Sequence, residues 1–171
     1  AGGVGVGVAI GAAFAGNTIG VNPLLGNSQV RAYVEGSTMT AGGDVKITAE
    51  ADETIKSYIF AGSVAIAAGG VGVGVVGSGV VAINTMATDV NAHISESSHV
   101  TAKSVVLTAD DTSSIMAFGG AAAVTGGFGG TGVAVSIGVS LAFNTIANNV
   151  AAFISGSTVE SKGGKVSVQA I

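Results

Sequence analysis

Large apolar and small residues alternate with a period of two through three long stretches of this chain. In the stretch from Thr131 to Thr145, Val133, Val135, Ile137, Val139, Leu141 and Phe143 fall on one face. Gly132, Ala134, Ser136, Gly138, Ser140 and Ala142 fall on the other. Only an extended strand places alternate residues on opposite faces; a helix would scatter both sets round its circumference. The same pattern runs from Val4 to Asn17 and from Val71 to Asn84.

The stretches are regularly spaced. Asn84 and Asn144 lie 60 residues apart, as do Ile55 and Ile115, Val64 and Val124, and Ala92 and Ala152. Asn17 precedes Asn84 by 67, and the extra residues fall in Gly20 to Asn27, which holds the only proline, Pro23, and reads as an inserted loop. The chain is read as one repeat array over residues 1–171: a partial first unit (1–54, insertion 20–27), a second unit (55–114) and a truncated third (115–171). It opens within a unit, which reads as an excerpt from something longer.

Each period has an apolar and a polar half. The apolar half predicts two long strands, Ile55 to Ala68 and Val71 to Thr85, joined at Gly69-Gly70. Ile115 to Phe128 and Thr131 to Thr145, joined at Gly129-Gly130, are their counterparts. A Gly-Gly pair between alternating runs marks a hairpin or a tight corner. The polar half predicts strands at Val90 to Ser95 and Val100 to Ala109, with counterparts at Val30 to Glu35 and Met39 to Ala49, and at Val150 to Ser155 and Val159 to Ala170. The turns between them differ by about one residue from copy to copy. No charged residue occurs in 1–30, 57–88 or 112–159. That segregation predicts apolar strands buried on both faces and polar strands wetted on one. The Gly/Ala/Ser face predicts a thin, dry core in which layers approach more closely than the usual ~10 Å. The expected fold is all-β, a repetitive β-solenoid or stacked-sheet rod with ~60-residue repeats, because one unit alone cannot hide its own strands.

Composition sharpens this picture. Glycine supplies 29 of 171 residues and charged residues only 9%, against a typical ~25%. There is no cysteine, so disulfides and thiolate metal sites are excluded. The net charge of −4 and the lack of a basic block argue against nucleic-acid binding. The period of two and the dense glycine argue against membrane helices. A membrane barrel is a poorer fit than a soluble stack, because the second face is Gly/Ala instead of lumen-polar.

Candidate chemistry is sparse. Gly72-Val-Gly-Val-Val-Gly77 matches the dinucleotide pattern, but Ser78 to Asn84 continues a strand and opens no phosphate-binding helix. His93 and His99 have only Glu96 and Asp89 nearby as further metal ligands, and read as surface and edge positions. Glu50, Asp52, Glu53, Asp110 and Asp111 form the one recurring acidic cluster. Stacked, they would make a carboxylate ladder able to take Ca²⁺, although a solvated turn is the preferred reading. Asn17, Asn84 and Asn144 are expected to form a structural amide ladder. Tyr33, Tyr58 and Phe153 are the only candidates for a carbohydrate platform. No catalytic, cofactor-binding or metal residue is assigned, and no enzyme is expected.

Two segments resemble repeats of giant secreted bacterial proteins of the leukotoxin-like and filamentous-haemagglutinin-like adhesin type. They are Ala142-Phe-Asn-Thr-Ile-Ala-Asn-Asn-Val-Ala-Ala-Phe-Ile-Ser-Gly-Ser-Thr-Val159 and Arg31-Ala-Tyr-Val-Glu-Gly-Ser-Thr-Met-Thr-Ala-Gly-Gly-Asp-Val-Lys-Ile-Thr-Ala49. The resemblance implies an extracellular, secreted or cell-surface location and a fibrous role. The expected function is a structural fibre, filament or adhesin stalk whose partner is its own kind. The alternative is a secreted pore-forming or leukotoxin-like protein whose Gly/Val strands enter membranes.

Overall fold

The computed structural model describes residues 2–22, 24 and 26–171. Among these the chain is all-β, with fifteen strands and no helix. In chain order they are β1 (Val4–Ile19), β2 (Val21–Asn22), β3 (Gly26–Glu35), β4 (Thr38–Thr40) and β5 (Val45–Ala51). Next come β6 (Thr54–Ala68), β7 (Val71–Met86), β8 (Thr88–Ser95), β9 (His99–Ala102) and β10 (Val105–Asp111). The last are β11 (Ser114–Phe128), β12 (Thr131–Ile146), β13 (Asn149–Ile154), β14 (Thr158–Ser161) and β15 (Val166–Ala170). The chain divides into two compact units, one gathering the apolar segments that end at Asn17, Asn84 and Asn144, the other the segments that follow each of them.

The first unit holds two sheets, β1-β7-β12 and β6-β11. Neighbouring strands run the same way. Val71 donates to the Gly3 carbonyl and Ala87 to that of Ile19, the same 68-residue separation at both ends of β1 and β7. Thr131 to Gly70 and Ala147 to Met86 repeat this for β12 on β7 at 61. β6 and β7 are consecutive but lie in different sheets, so Gly69-Gly70 is a corner and not a hairpin.

Within this unit the small residues face inward. Ala65, Ala67, Ser78 and Ala82 are buried, with Ile55, Ile59, Val76 and Val80 as larger apolar exceptions. The large residues of β1 and β6 point outward: Val4 is 72% exposed, Ile10 84% and Phe60 73%. Burial of the apolar strands on both faces, expected from the sequence, is therefore not met. Alternation fixes that the two faces differ; close backbone approach decides which is inside. A methyl group built on Gly11 would lie 2.5 Å from the Gly62 carbonyl oxygen, one on Gly7 2.9 Å from that of Ile66, and one on Gly138 3.0 Å from that of Ala121. Side chains larger than alanine have no room along most of that gap, so the bulky set is turned out.

The second unit has three sheets of parallel strands, β13-β8-β3, β14-β9-β4 and β15-β10-β5, with β2 added antiparallel to β3. Val30, Val90 and Val150 stand in one row, and Ile47, Leu107 and Val168 in another. Their inward side chains make one core around Ile47, Val90, Ile94, Val100, Val105 and Leu107. The second polar strand expected in each period is in fact two strands in different sheets. The break falls at Lys103-Ser104 in the middle copy, where no Gly-Gly pair announces it. The inserted segment Gly20 to Asn27 carries a short antiparallel pairing, Val21 with Asn27 and Asn22 with Gly26, and is not a plain loop; Pro23 and Leu25 lie outside the described residues.

Corner lengths compensate. Thr38 pairs with His99, an offset of 61, because the middle copy has one more residue in the preceding turn. Val45 pairs with Val105, an offset of 60, because the next corner is one residue shorter. The extra residue leaves Glu96 (φ 56°) and Ser97 (φ 59°) left-handed where the other copies place Gly36 (φ 54°) and Gly156 (φ 55°). For a non-glycine residue that conformation costs roughly 1–2 kcal/mol.

Two glycine substitutions test the close approach. Gly11→Ala drives a methyl against a backbone oxygen that cannot rotate away, and should cost about 2–3 kcal/mol in urea unfolding. Gly77→Ala, where an added methyl meets nothing within 4 Å, should be neutral or stabilising by up to ~1 kcal/mol. Equal effects would contradict the packing described.

Candidate functional site

Like side chains stacked across parallel strands make the polar and aromatic groupings of this chain. The Asn17 side-chain amide donates to Asn84 Oδ1 at 2.8 Å, and Asn84 Nδ2 donates to Asn144 Oδ1 at 2.8 Å. This is the amide ladder the sequence predicts, and Asn84 within it is fully buried. Strands ~4.8 Å apart hold successive amides at the one spacing where each donates along the stack and accepts from behind.

Rings stack in the same way. Tyr33 lies on His93 with centroids 5.4 Å apart and planes 12° apart, and Phe153 lies on the other face of His93 at 4.8 Å and 5°. Tyr58 stacks on Phe118 at 5.4 Å. Tyr33, Tyr58 and Phe153 thus stack on other rings of the chain. His93 is buried, not a surface position, and its Nε2 lies 2.9 Å from Glu35 Oε1. A carboxylate only accepts, so Nε2 is the donor of this contact; Nδ1 is buried without a hydrogen-bond partner. His99 opens β9 in another sheet, exposed, with Nε2 3.5 Å from Thr101 Oγ1. The two histidines do not converge.

The acidic cluster divides. Asp110 and Glu50 pair in register on β10 and β5, and Asp52 is exposed between β5 and β6. Glu53 and Asp111 belong to a closed ring of hydrogen bonds. Thr88 Oγ1 donates to Glu53 Oε1 at 2.8 Å, and Thr88 N to Asn148 Oδ1 at 2.9 Å. Asn148 Nδ2 donates to Asp111 Oδ2 at 2.5 Å. The Ser113 hydroxyl sits between Glu53 Oε2, at 2.9 Å, and Asp111 Oδ1, with one proton to give. Burial pushes the Asp111 carboxyl upward, but the bonds from the Ser113 side chain, Asn148 and the Ser113 backbone outweigh it and hold Asp111 below its ordinary value. Among the described residues no three His, Asp or Glu side chains converge to hold a metal ion. Ser113, Asn148 and Thr88 escaped the sequence reading. Its one local signal was Asp111-x-Ser113, the spacing of an Asx-turn, here closed by Ser113 N to Asp111 Oδ1 at 3.1 Å. Gly72 to Gly77 lie inside β7, and no helix follows them.

Compared with known protein families, curated proteins and solved structures, the chain matches none. The amide and ring stacks join neighbouring strands of one sheet, whereas the hydrogen bonds around Glu53 and Asp111 tie residues of different sheets together.

Asn84→Ala should cost about 2–4 kcal/mol in urea unfolding, because it strands the amides of Asn17 and Asn144 as well as losing its own bonds. A depressed acid contributes stability above its unfolded-state value of about 3.9 and loses it as pH falls through the lower folded value. Asp111→Asn should therefore flatten the acid limb of stability against pH below about pH 4 and leave its neutral shape unchanged; an unaltered acid limb would contradict this assignment.

Proposed function

We propose that this chain is a structural segment of an extracellular fibre, filament or adhesin stalk, associating with its own kind by β-strand stacking. In this reading its strands wind as a β-solenoid or stacked-sheet rod with ~60-residue repeats. The observation that carries it is the Asn17–Asn84–Asn144 relay. Each member donates to the next with the same geometry, so further layers of the same kind add without altering those present. The parallel pairs of residues about 60 apart support the same reading. Resemblance to repeats of secreted adhesins is consistent with a location outside the cell.

A second reading has one observation in its favour. The outward side chains of the first unit, from Val4 to Phe14 and from Val133 to Phe143, are apolar and uncharged, as a lipid-facing surface would be. No helix among the described residues is long and apolar enough to cross a membrane, so entry would be by strands.

Purified chain in detergent-free buffer should form filaments under the electron microscope, and aligned filaments should diffract at about 4.7–4.8 Å along the axis. A monodisperse species that never polymerises contradicts the fibre reading. Dye release from liposomes without filament growth favours the second.

A further inference from the structure

The second unit stacks three layers, and its sheets run out at one edge on β3, β4 and β5 and at the other on β13, β14 and β15. In the middle layer Val90, Ile94, Val100 and Val105 are fully buried. Their row neighbours Val30, Val34, Met39 and Val45 on one side, and Val150, Ile154 and Val159 on the other, are only partly buried. The ring row behaves alike. His93 at its centre is 7% exposed, whereas Tyr33 and Phe153 at its ends are 56% and 40% exposed. Each outer layer is covered on one side only.

The two edges carry the same rows. Thr38 and Thr158 both pair with His99, and Val45 and Val166 both pair with Val105. Both edges also turn at a left-handed glycine, Gly36 and Gly156, where the middle layer has Glu96 and Ser97. The short strand β2 does not intervene: it pairs with Gly26 and Asn27, ahead of the row-forming residues from Ser28 to Glu35.

Charge shows how the edges fit. Asp44, Ser104 and Lys165 form the row before Val45, Val105 and Val166; Val45 N donates to the Ser104 carbonyl and Val105 N to that of Lys165. Ser104 Oγ donates to Asp44 Oδ1 at 2.7 Å, so side chains in this row reach along the stack. Asp44 and Lys165 are exposed at its opposite ends. Setting one copy's last edge on another's first edge makes these opposite charges neighbours. The one charge on β13, β14 and β15 is Glu160, and its row partner would be Thr40, so no like charges meet along the strand rows.

We infer that copies of this chain join head to tail through the second unit. Strands β13, β14 and β15 of one copy pair parallel with β3, β4 and β5 of the next, and Lys165 stands beside the next copy's Asp44. Phe153 lies on the next copy's Tyr33 and extends the ring stack. Two different edges meet, so the contact repeats from copy to copy without closing on a pair. This inference rests on the self-stacking reading and adds to it a register, a polarity and a charge pair.

Asp44→Lys and Lys165→Glu each set like charges across the junction while altering only an exposed residue. The critical concentration for polymerisation of the full chain, measured by pelleting, should rise about three- to tenfold for either variant alone. A 1:1 mixture should return to the wild-type value, because alternating copies put opposite charges at every junction. Recovery in the mixture also shows that both variants are folded. Added salt should narrow the gap between variant and wild type. Variants that polymerise as well as wild-type filaments overturn the inference and leave self-stacking in place, as does a mixture no better than its components. Wild-type chain that never polymerises overturns both.

Discussion

Parallel, in-register pairing between segments about 60 residues apart is the constraint from which the other features follow. It puts Val90 beside Val30 and Val150, Asn84 beside Asn17 and Asn144, and His93 between Tyr33 and Phe153. Any side chain that tolerates its own kind at ~4.8 Å is favoured in such a row: amides that relay hydrogen bonds, flat rings that stack, branched aliphatics that interlock. Like charges are penalised, which explains why charge is thin throughout and, apart from Lys56 in β6, absent from the long strands. Glu50 and Asp110 are the acids that do pair in register; Glu53 and Asp111 stand opposite Ser113 and Ala51 instead, with hydroxyl and amide donors from Thr88, Ser113 and Asn148 around them.

The same constraint makes the two units differ. In the second, three sheets turn their inward residues onto one core, and Val, Ile and Leu fill it. In the first, two sheets approach until backbone oxygens sit where side chains would be, so the interior is mostly glycine, alanine and serine. Little of its stability comes from burying large apolar groups inside, since apart from Ile55, Ile59, Val76 and Val80 few of those groups are buried. It rests on dispersion between closely packed backbones, on the ladder hydrogen bonds, and on whatever covers the outer faces. An uncovered row such as Val4, Val6, Val8 and Ile10 is more apolar surface than a chain in water ordinarily leaves in one patch.

Much of this is legible in the sequence, for physical reasons. Strict alternation admits only strands, the 60-residue spacing of Asn84 and Asn144 is the pairing offset, and their recurrence announces the amide ladder. Three things are not legible. Alternation of large with small cannot say which face is inside, because that depends on how near the facing sheet comes. The corner at Lys103-Ser104 has no glycine or proline to mark it, since its φ values are ordinary; it follows from the neighbouring corners at Gly42-Gly43 and Gly163-Gly164, with which it must stay in step. The burial of His93 is hidden as well, because it comes from Tyr33 and Phe153 closing over both faces of the ring, a property of the stack and not of the local sequence.

The pairing offset can be measured directly. The chain has no cysteine, so Thr48→Cys and Thr108→Cys give two unique sites for nitroxide labels on registered partners of β5 and β10. Neighbouring strands lie about 4.8 Å apart, so the doubly labelled chain, diluted with unlabelled protein, should show a spectrum dominated by spin–spin broadening. Labels on Lys46 and Asp110, on the same two strands but off register by four residues, should lie roughly 14 Å apart and show far less broadening. Strong coupling for the first pair and weak coupling for the second is the predicted result. Weak coupling at Thr48 and Thr108 would mean that these segments do not stack on one another, and the account built on that stacking would fail.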